Sequence, residues 1–211
     1  EEWSKGRLGY MTVAEMKTDD LRRFEKEIYA RGYGHDGLVL DMRYNNGGFT
    51  ADQMLSILCH PNHAVTVPRG GVASYQGGYL GRPIWTKPIV VLCNKYTASN
   101  GEIFCHAIKN TRRGLLVGEA TQGGVISTAD RQLLDIGTFR VPHRGWFPLP
   151  SGMDMELRGA EPDVQVENPP GARARGEDPQ LKAAVETLVR RLEAGDGKVP
   201  KMKYASEARK E

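Results

Sequence analysis

Twice in this sequence an almost wholly apolar run ends at a corner of small and polar residues and passes into a helix. The first run is GLVLDM at 37–42, followed by Asn45-Asn46-Gly47-Gly48 and a helix over Ala51–Leu58. The second is PIVVLCN at 88–94, followed by Lys95-Tyr96-Thr97-Ala98-Ser99-Asn100-Gly101-Glu102 and a helix over 99–109. A strand that is apolar on both faces has no side to give to water, so it belongs inside a sheet covered above and below. Such strands alternating with helices predict an α/β fold of βαβ units around a parallel sheet.

The other elements fit around these two. A strand at 7–12 (RLGYMT) precedes a helix at 19–31, whose Leu21, Phe24, Ile28 and Tyr29 share one face. Gly32-Tyr33-Gly34 ends that helix. LLVGE at 115–119 is a third buried strand. Residues 59–85 have no clear period and are dominated by Gly, Pro and His, so a long loop with at most short strands is expected. Residues 132–136 and 138–142 read as a hairpin around Gly137, and 164–166 as one more strand. Asp178-Pro179 opens a last helix as N-cap and first-turn proline. Leu181, Val185, Leu188 and Leu192 give it one apolar stripe, and Gly195 stops it. The expected organisation is one domain over 1–195, with 196–211 a charged, loosely ordered tail.

Composition narrows the function classes. Of 211 residues, 39% are apolar and 26% charged, a globular balance. No apolar run is long enough to span a bilayer, so no membrane partner is expected. The net charge of +3 is spread along the chain and gives nucleic-acid binding no support. Three cysteines cannot form a disulfide framework, and Cys93 and Cys105 lie in apolar runs that suit buried thiols. Cys59, His60 and His63 fall short of a full ligand set, so no metal or other cofactor is expected. The first residue is Glu1 and the first methionine Met11, with no basic-then-apolar leader. A processed chain or a piece of a longer protein is expected. The expected compartment is the cytoplasm, with a secreted or periplasmic location left open.

The two corners carry the chemistry. A helix opening after Gly47-Gly48 leaves backbone N–H groups free, a place for a phosphate, a carboxylate or a reaction oxyanion. An ordinary strand–turn–helix corner has the same sequence. Ser99, at the start of the second helix, reads as an N-cap or as a nucleophile whose neighbour's N–H stabilises an oxyanion. G-x-S-x-G is absent, so an α/β-hydrolase is not indicated. If the two strands are parallel neighbours, both corners meet at one sheet edge. That edge then offers Ser99 and the N–H groups of Gly48 and Asn100, an acyl-transfer layout that still lacks a base.

Gly9-Tyr10, GLVLDMRYNNGG at 37–48, NKYTASNGEIF at 94–104, VGEATQGGV at 117–125, ELRGAEPDVQV at 156–166 and EDPQ at 177–180 form an ordered set. This set resembles the catalytic core of tricorn-type proteases, within the tail-specific, C-terminal-processing serine peptidases, from Arg7 to Leu192. The resemblance implies a crotonase-like repeated ββα superhelix with a parallel sheet and a C-terminal helix. It implies Ser99 as nucleophile, the Gly48 and Asn100 amides as oxyanion hole, and Glu156 as the glutamate on the histidine side. Gly47 and Thr66 match substrate-side positions.

The same resemblance identifies the branch. Ser/Lys relatives carry a base lysine in a V-G-E-x-T-x-G-K stretch, and Gly124 stands in that place here. A histidine base is therefore implied, yet none of His35, His60, His63, His106 and His143 stands in the family's histidine motif. The base is expected from a segment N-terminal to this chain, beyond a PDZ-like domain. The implied function is a serine endopeptidase core that cleaves extended peptides or polypeptide tails through a Ser99 acyl-enzyme, nearly inactive alone. Its implied partners are the peptide substrate, those upstream segments and a homo-oligomer. The acid that selects basic side chains in archaeal relatives is replaced at about Thr66, so that preference does not carry over. Two other readings stand beside this one: a non-enzymatic ligand-binding or interaction module of the same fold, and an acyl-CoA enzyme of the crotonase type. The joint presence of Ser99, Gly48 and Glu156 favours the peptidase.

Overall fold

The two apolar runs form the centre of a five-stranded, all-parallel sheet. In the computed structural model, which describes residues 2–75 and 84–205, the chain enters through β1 (Leu8–Thr12) and α1 (Thr18–Gly32). It continues through β2 (Gly37–Asp41), α2 (Ala51–Leu58) and the short strands β3 (Val65–Thr66) and β4 (Ser74–Tyr75). β5 (Ile89–Cys93), α3 (Asn100–Asn110) and β6 (Gly114–Gly118) follow, then the hairpin β7 (Ser127–Leu133) and β8 (Gly137–Arg144). β9 (Val164–Gln165) and α4 (Pro179–Glu193) complete the chain. The sheet order is β1-β2-β5-β6-β9.

β2 and β5 are buried at every residue and lie side by side, with Leu38 opposite Ile89 and Asp41 opposite Leu92. Alternation along the strands divides their side chains between two cores. Leu38, Leu40, Ile89, Val91 and Cys93 meet Phe24 and Ile28 of α1, Met54 and Leu58 of α2, and Phe104 and Ile108 of α3. Val39, Val90, Leu92 and Val117 meet Ala184, Val185, Leu188 and Leu192 of α4. Burying each such Leu, Ile or Val contributes about 1.5–3 kcal/mol relative to exposure. Cys93 and Cys105 are buried free thiols, as their apolar surroundings predict.

The hairpin differs from its expected form. β7 begins at Ser127, five residues before the expected strand, and pairs from Ser127 opposite Arg144 to Leu133 opposite Gly137. The turn lies over 134–136, and Gly137 is the first residue of β8. Most of both strands is exposed, so no apolar alternation marks where β7 starts. In the long segment after α2, Val65 pairs with Tyr75 and Thr66 with Ser74. The part of that expected loop at 76–83 and the end of the expected tail at 206–211 lie outside the described residues. The start of the tail is docked. Asp196 pairs with Arg191, and Gly197 packs so closely on Pro88 that a Cβ would come within 2.6 Å of its ring. No helix among the described residues is long and apolar enough to cross a membrane.

Candidate active site

Parallel strands end at the same edge, and the two corners meet there. After β2 the chain turns through Tyr44, whose φ is 64°, to Asn45, which is fully buried. Asn45 Oδ1 accepts from Gly47 N at 2.7 Å, and its Nδ2 donates to Val13 O at 2.7 Å. Its backbone carbonyl accepts from Ala98 N at 2.8 Å, which joins the first corner to the second. After β5, Thr97 Oγ1 donates to Met42 O at 3.0 Å. Asn100 Oδ1 accepts from Ala51 N at 2.8 Å, so a side chain of α3 satisfies the first amide of α2. Thr50, the N-cap residue of α2, makes no such bond.

Ser99 is the N-cap residue of α3, half-buried, with φ 54° and ψ −123°. A non-glycine residue held in such a region costs on the order of 1–3 kcal/mol and persists only where its surroundings fix it. Those surroundings are visible. A Cβ on Gly47 would come within 2.7 Å of both Ser99 Cβ and Asn100 N, so only glycine fits behind the serine. Gly47 itself has φ 86°. Among the described residues, the amides of Gly48 and Asn100 have no acceptor. The first corner thus lies directly against the peptide that carries Ser99, with two N–H groups left open beside it.

A buried carboxylate whose role has no marked signal in the sequence holds the corner. Glu102, in the first turn of α3, is fully buried and accepts four hydrogen bonds. Oε1 accepts from Ser99 N at 3.1 Å and Gly124 N at 2.8 Å. Oε2 accepts from Thr121 Oγ1 at 2.6 Å and Gly123 N at 2.5 Å. Gly124 O in turn accepts from Ser99 N at 3.0 Å. The loop over 121–124 is therefore fastened to the serine through one side chain. The sequence signal was a glutamate three residues after a helix N-cap, which reads as a local cap.

Arg43 likewise carries no sequence signal of its role. Its side chain is buried, with 6% exposed, beside Asp41 at 2.7 Å and Asp178 at 2.8 Å. Burial opposes its charge, but hydrogen bonds to and charges of Asp41 and Asp178 outweigh that and raise its pKa above the ordinary value. Asp178 also accepts from Leu181 N at 3.0 Å, so the N-cap of α4 is at the same time a partner of the β2 corner.

Glu156 stands one loop away. Its Oε2 accepts from Val125 N at 2.9 Å and Ile126 N at 2.8 Å, just beyond the loop that Glu102 holds. A small core of Ile103, Val125 and Met155, with Trp146 against it, ties this segment to the first turn of α3. Glu156 Oε1 has no hydrogen bond among the described residues.

The chain matches the model of peptidase family S41 over residues 7–166. The chain belongs to peptidase family S41. It is 30% identical over 200 residues to the tricorn protease of Thermoplasma acidophilum, covering 94% of this chain and 18% of that protein. It is 34% identical over 202 residues to tricorn protease homolog 1 of Streptomyces coelicolor, with the same coverage of 94% and 18%. Its fold, a mixed α/β layer structure on a parallel five-stranded sheet, is similar to the crystal structure of the tricorn protease, with TM-score 0.75 at 30% identity. That match covers 91% of this chain and 18% of the other. This S41 chain spans about one fifth of the length of those relatives, at 18% of each.

The structure brings Ser99, Asn100, Gly47 and Gly48 of this S41 chain together, and it ties Glu156 to the same region through the 121–126 segment. It does not bring Thr66 there. Thr66 is exposed on β3 and bonded to Ser74 O at 3.4 Å, on a hairpin whose Tyr75 reaches Lys198 at the opposite end of the sheet. No hydrogen bond joins any of the five histidines to Ser99 or Glu156 among the described residues. His106 Nε2 instead lies 3.3 Å from Arg158 O, and burial lowers its pKa. Among the described residues, no group of three or more His, Cys, Asp or Glu is placed to hold a metal ion.

Proposed function

We propose that this chain is the catalytic core of a tricorn-type serine endopeptidase in which Ser99 is the nucleophile. One observation carries the reading: Ser99 sits at a helix start in a strained conformation, pressed against Gly47, beside two amides with no acceptor. In the proposed reaction Ser99 Oγ attacks the carbonyl carbon of an extended peptide lying along the Gly47 corner. The Gly48 and Asn100 N–H groups donate to the developing oxyanion. The serine proton passes to a base and then to the leaving amine, and water releases the acyl group.

The base is a histidine from a segment N-terminal to this chain, oriented by Glu156. Support comes from Glu156 itself, whose Oε2 is fixed by two amides while Oε1 is open to accept an imidazole N–H. The hairpin exposes Leu134, Ile136 and Phe139, and Phe147 is exposed nearby. In the parent protein this apolar surface meets the histidine-bearing and PDZ-like segments or a second copy. The wider fold we propose is a crotonase-like superhelix, a reading supported by the monotonic strand order and by the packing of α1, α2 and α3 on one face.

The test is peptide cleavage and labelling by a serine-reactive fluorophosphonate, measured on this chain and on a longer parent extended upstream. The parent is expected to cleave and to be labelled, and Ser99→Ala to abolish both. This chain alone is expected near the assay floor. An oxyanion hole and binding alone leave roughly 10³–10⁴-fold over water in other serine proteases. Equal, Ser99-dependent activity in both would place the base within residues 1–211. A parent that folds but neither cleaves nor labels would favour the non-enzymatic module.

A further inference from the structure

A cavity of about 400 Å³ opens at the edge where the parallel strands end, between the two corners, the segment after β9 and the start of α4. Ligands of open α/β sheets bind at this edge. Tyr44 of the first corner and Tyr96 of the second stack in its wall, with ring centroids 5.4 Å apart and planes 11° from parallel. Arg173 lies over the Tyr44 ring at 5.5 Å and Lys95 over the Tyr96 ring at 5.7 Å, so both rings are held by their faces and present their edges.

The wall also holds an open donor. Asn94 is 2% exposed. Its Oδ1 accepts from Tyr44 N and Tyr96 N, each at 3.1 Å, and so joins the two corners. Its Nδ2 has no partner among the described residues. Unlike Trp85 Nε1, which is sealed in the core, this donor opens to the cavity. A donor so deeply placed costs free energy unless an acceptor reaches it. The charges around it balance. Lys95 pairs with Glu119 at 3.5 Å, while Arg173 and Glu167 have no ion pair or hydrogen bond among the described residues. A neutral wall with a free N–H donor and a free carboxylate suits a neutral ligand that both accepts and donates, as a peptide chain does.

The place of the cavity relates it to the Ser99 corner. Each tyrosine stands four residues before an open amide, Tyr44 before Gly48 and Tyr96 before Asn100. Four Cα steps reach at most about 15 Å, which an extended peptide covers in about four to five residues. None of residues 45–49 or 97–100 lines the cavity, so it is not the place of the side chains next to the cleaved bond. We propose that this cavity is a remote substrate subsite, taking an aromatic side chain of the peptide about three to five positions from the bond cut at Ser99. The peptide carbonyl accepts from Asn94 Nδ2, the peptide N–H donates to Glu167, and the ring packs its face on the edges of Tyr44 and Tyr96. This inference rests on the peptidase reading.

The probe is a capped decapeptide of Gly, Ser and Ala with one central phenylalanine, beside the same peptide with alanine in that place. Two-dimensional amide NMR of the 211-residue chain reads binding without any cleavage. The phenylalanine peptide is expected to shift the Asn94 side-chain amide saturably and to bind at least about tenfold tighter than the alanine peptide. Tyr96→Ala removes a half-exposed ring that makes no hydrogen bond, and is expected to abolish that difference. In the parent extended upstream, mass spectrometry of the products is expected to place the cut about three to five residues from the phenylalanine, and Tyr96→Ala to scatter it. An unmoved Asn94 amide, equal binding of the two peptides, a difference kept in the Tyr96 variant, or a cut found only beside the phenylalanine would overturn the proposal. Tyr96-dependent binding in a parent that neither cleaves nor reacts with a fluorophosphonate would overturn the peptidase reading alone, the peptide ligand of the cavity standing.

Discussion

Replacing Glu102 with glutamine keeps the side chain's shape and removes its charge, which isolates what the carboxylate does. Four donors converge on it: Ser99 N and Gly124 N on one oxygen, Thr121 Oγ1 and Gly123 N on the other. A glutamine offers one oxygen. Turned toward Ser99 and Gly124, its NH₂ faces two amides that can only donate, and both bonds are lost. Turned toward Thr121 and Gly123, it loses the Gly123 bond and reverses the bond to the Thr121 hydroxyl. Either way, two of the four bonds to a charged acceptor are gone. Hydrogen bonds to a charged group contribute about 1.5–3 kcal/mol each, so the direct loss is about 3–6 kcal/mol. Partial relaxation of the glycine-rich loop over 122–124 brings the expected destabilisation to about 3–4 kcal/mol, a large share of the usual 5–15 kcal/mol or so. Urea unfolding followed by circular dichroism is the assay. With a slope of about 2–3 kcal/mol per molar, the midpoint should fall by about 1–2 M. Thr121→Val removes one donor to the same oxygen. The double variant should show a coupling of at least about 1 kcal/mol. A Glu102→Gln loss below about 1 kcal/mol, with no coupling, would refute the claim that this carboxylate holds the serine corner.

Gly47→Ala sets a methyl group against Ser99 Cβ and Asn100 N at a backbone φ of 86°. It should cost about 2–4 kcal/mol in the same urea assay, and in an active parent it should lower kcat at least a hundredfold. A variant as stable as the native chain would contradict the close approach. Asp178 gives a pH test. Burial alone would raise its pKa, but the hydrogen bonds and charge of Arg43, the Leu181 amide and Asn168 bring it below 3.8. Its contribution to stability is therefore complete above about pH 4 and lost as pH falls through the lower folded value. Asp178→Asn should flatten the acid limb of the urea midpoint between pH 4 and 2, measured beside the native chain. An unchanged limb would show that the Arg43 pair adds nothing there.

The central architecture was legible because it rests on local pattern. β2 and β5 are apolar on both faces, and α2 falls on the expected residues 51–58. The corner chemistry was legible in part, since glycines and a serine at strand ends advertise free amides. The rest depends on partners distant in sequence. Glu102 looks like an ordinary cap until the loop twenty residues later folds onto it. Arg43 looks like a polar corner residue until Asp178, 135 positions on, closes over it. The start of β7 is hidden for a different reason: its first three residues are only partly buried and the rest are exposed, so no apolar alternation is left to read. The place of Thr66 could not be read from spacing, because the segment around it has no period to fix a register.

The face of the sheet covered by α4 sets an order of events during synthesis. Val39 and Val90 leave the ribosome long before Val185 and Leu188, which cover them. Until the last helix has emerged, one side of the nascent sheet is bare, and Arg43 and Asp41 lack Asp178. The first core, under α1, α2 and α3, closes with residues up to about β6, so a half-covered sheet is the natural species on the ribosome. Such a species shows apolar surface to any neighbour for as long as translation lags. A pause in the codons between β9 and α4 would lengthen that exposure, and a chaperone that binds extended apolar surface would be needed most at that point of the chain.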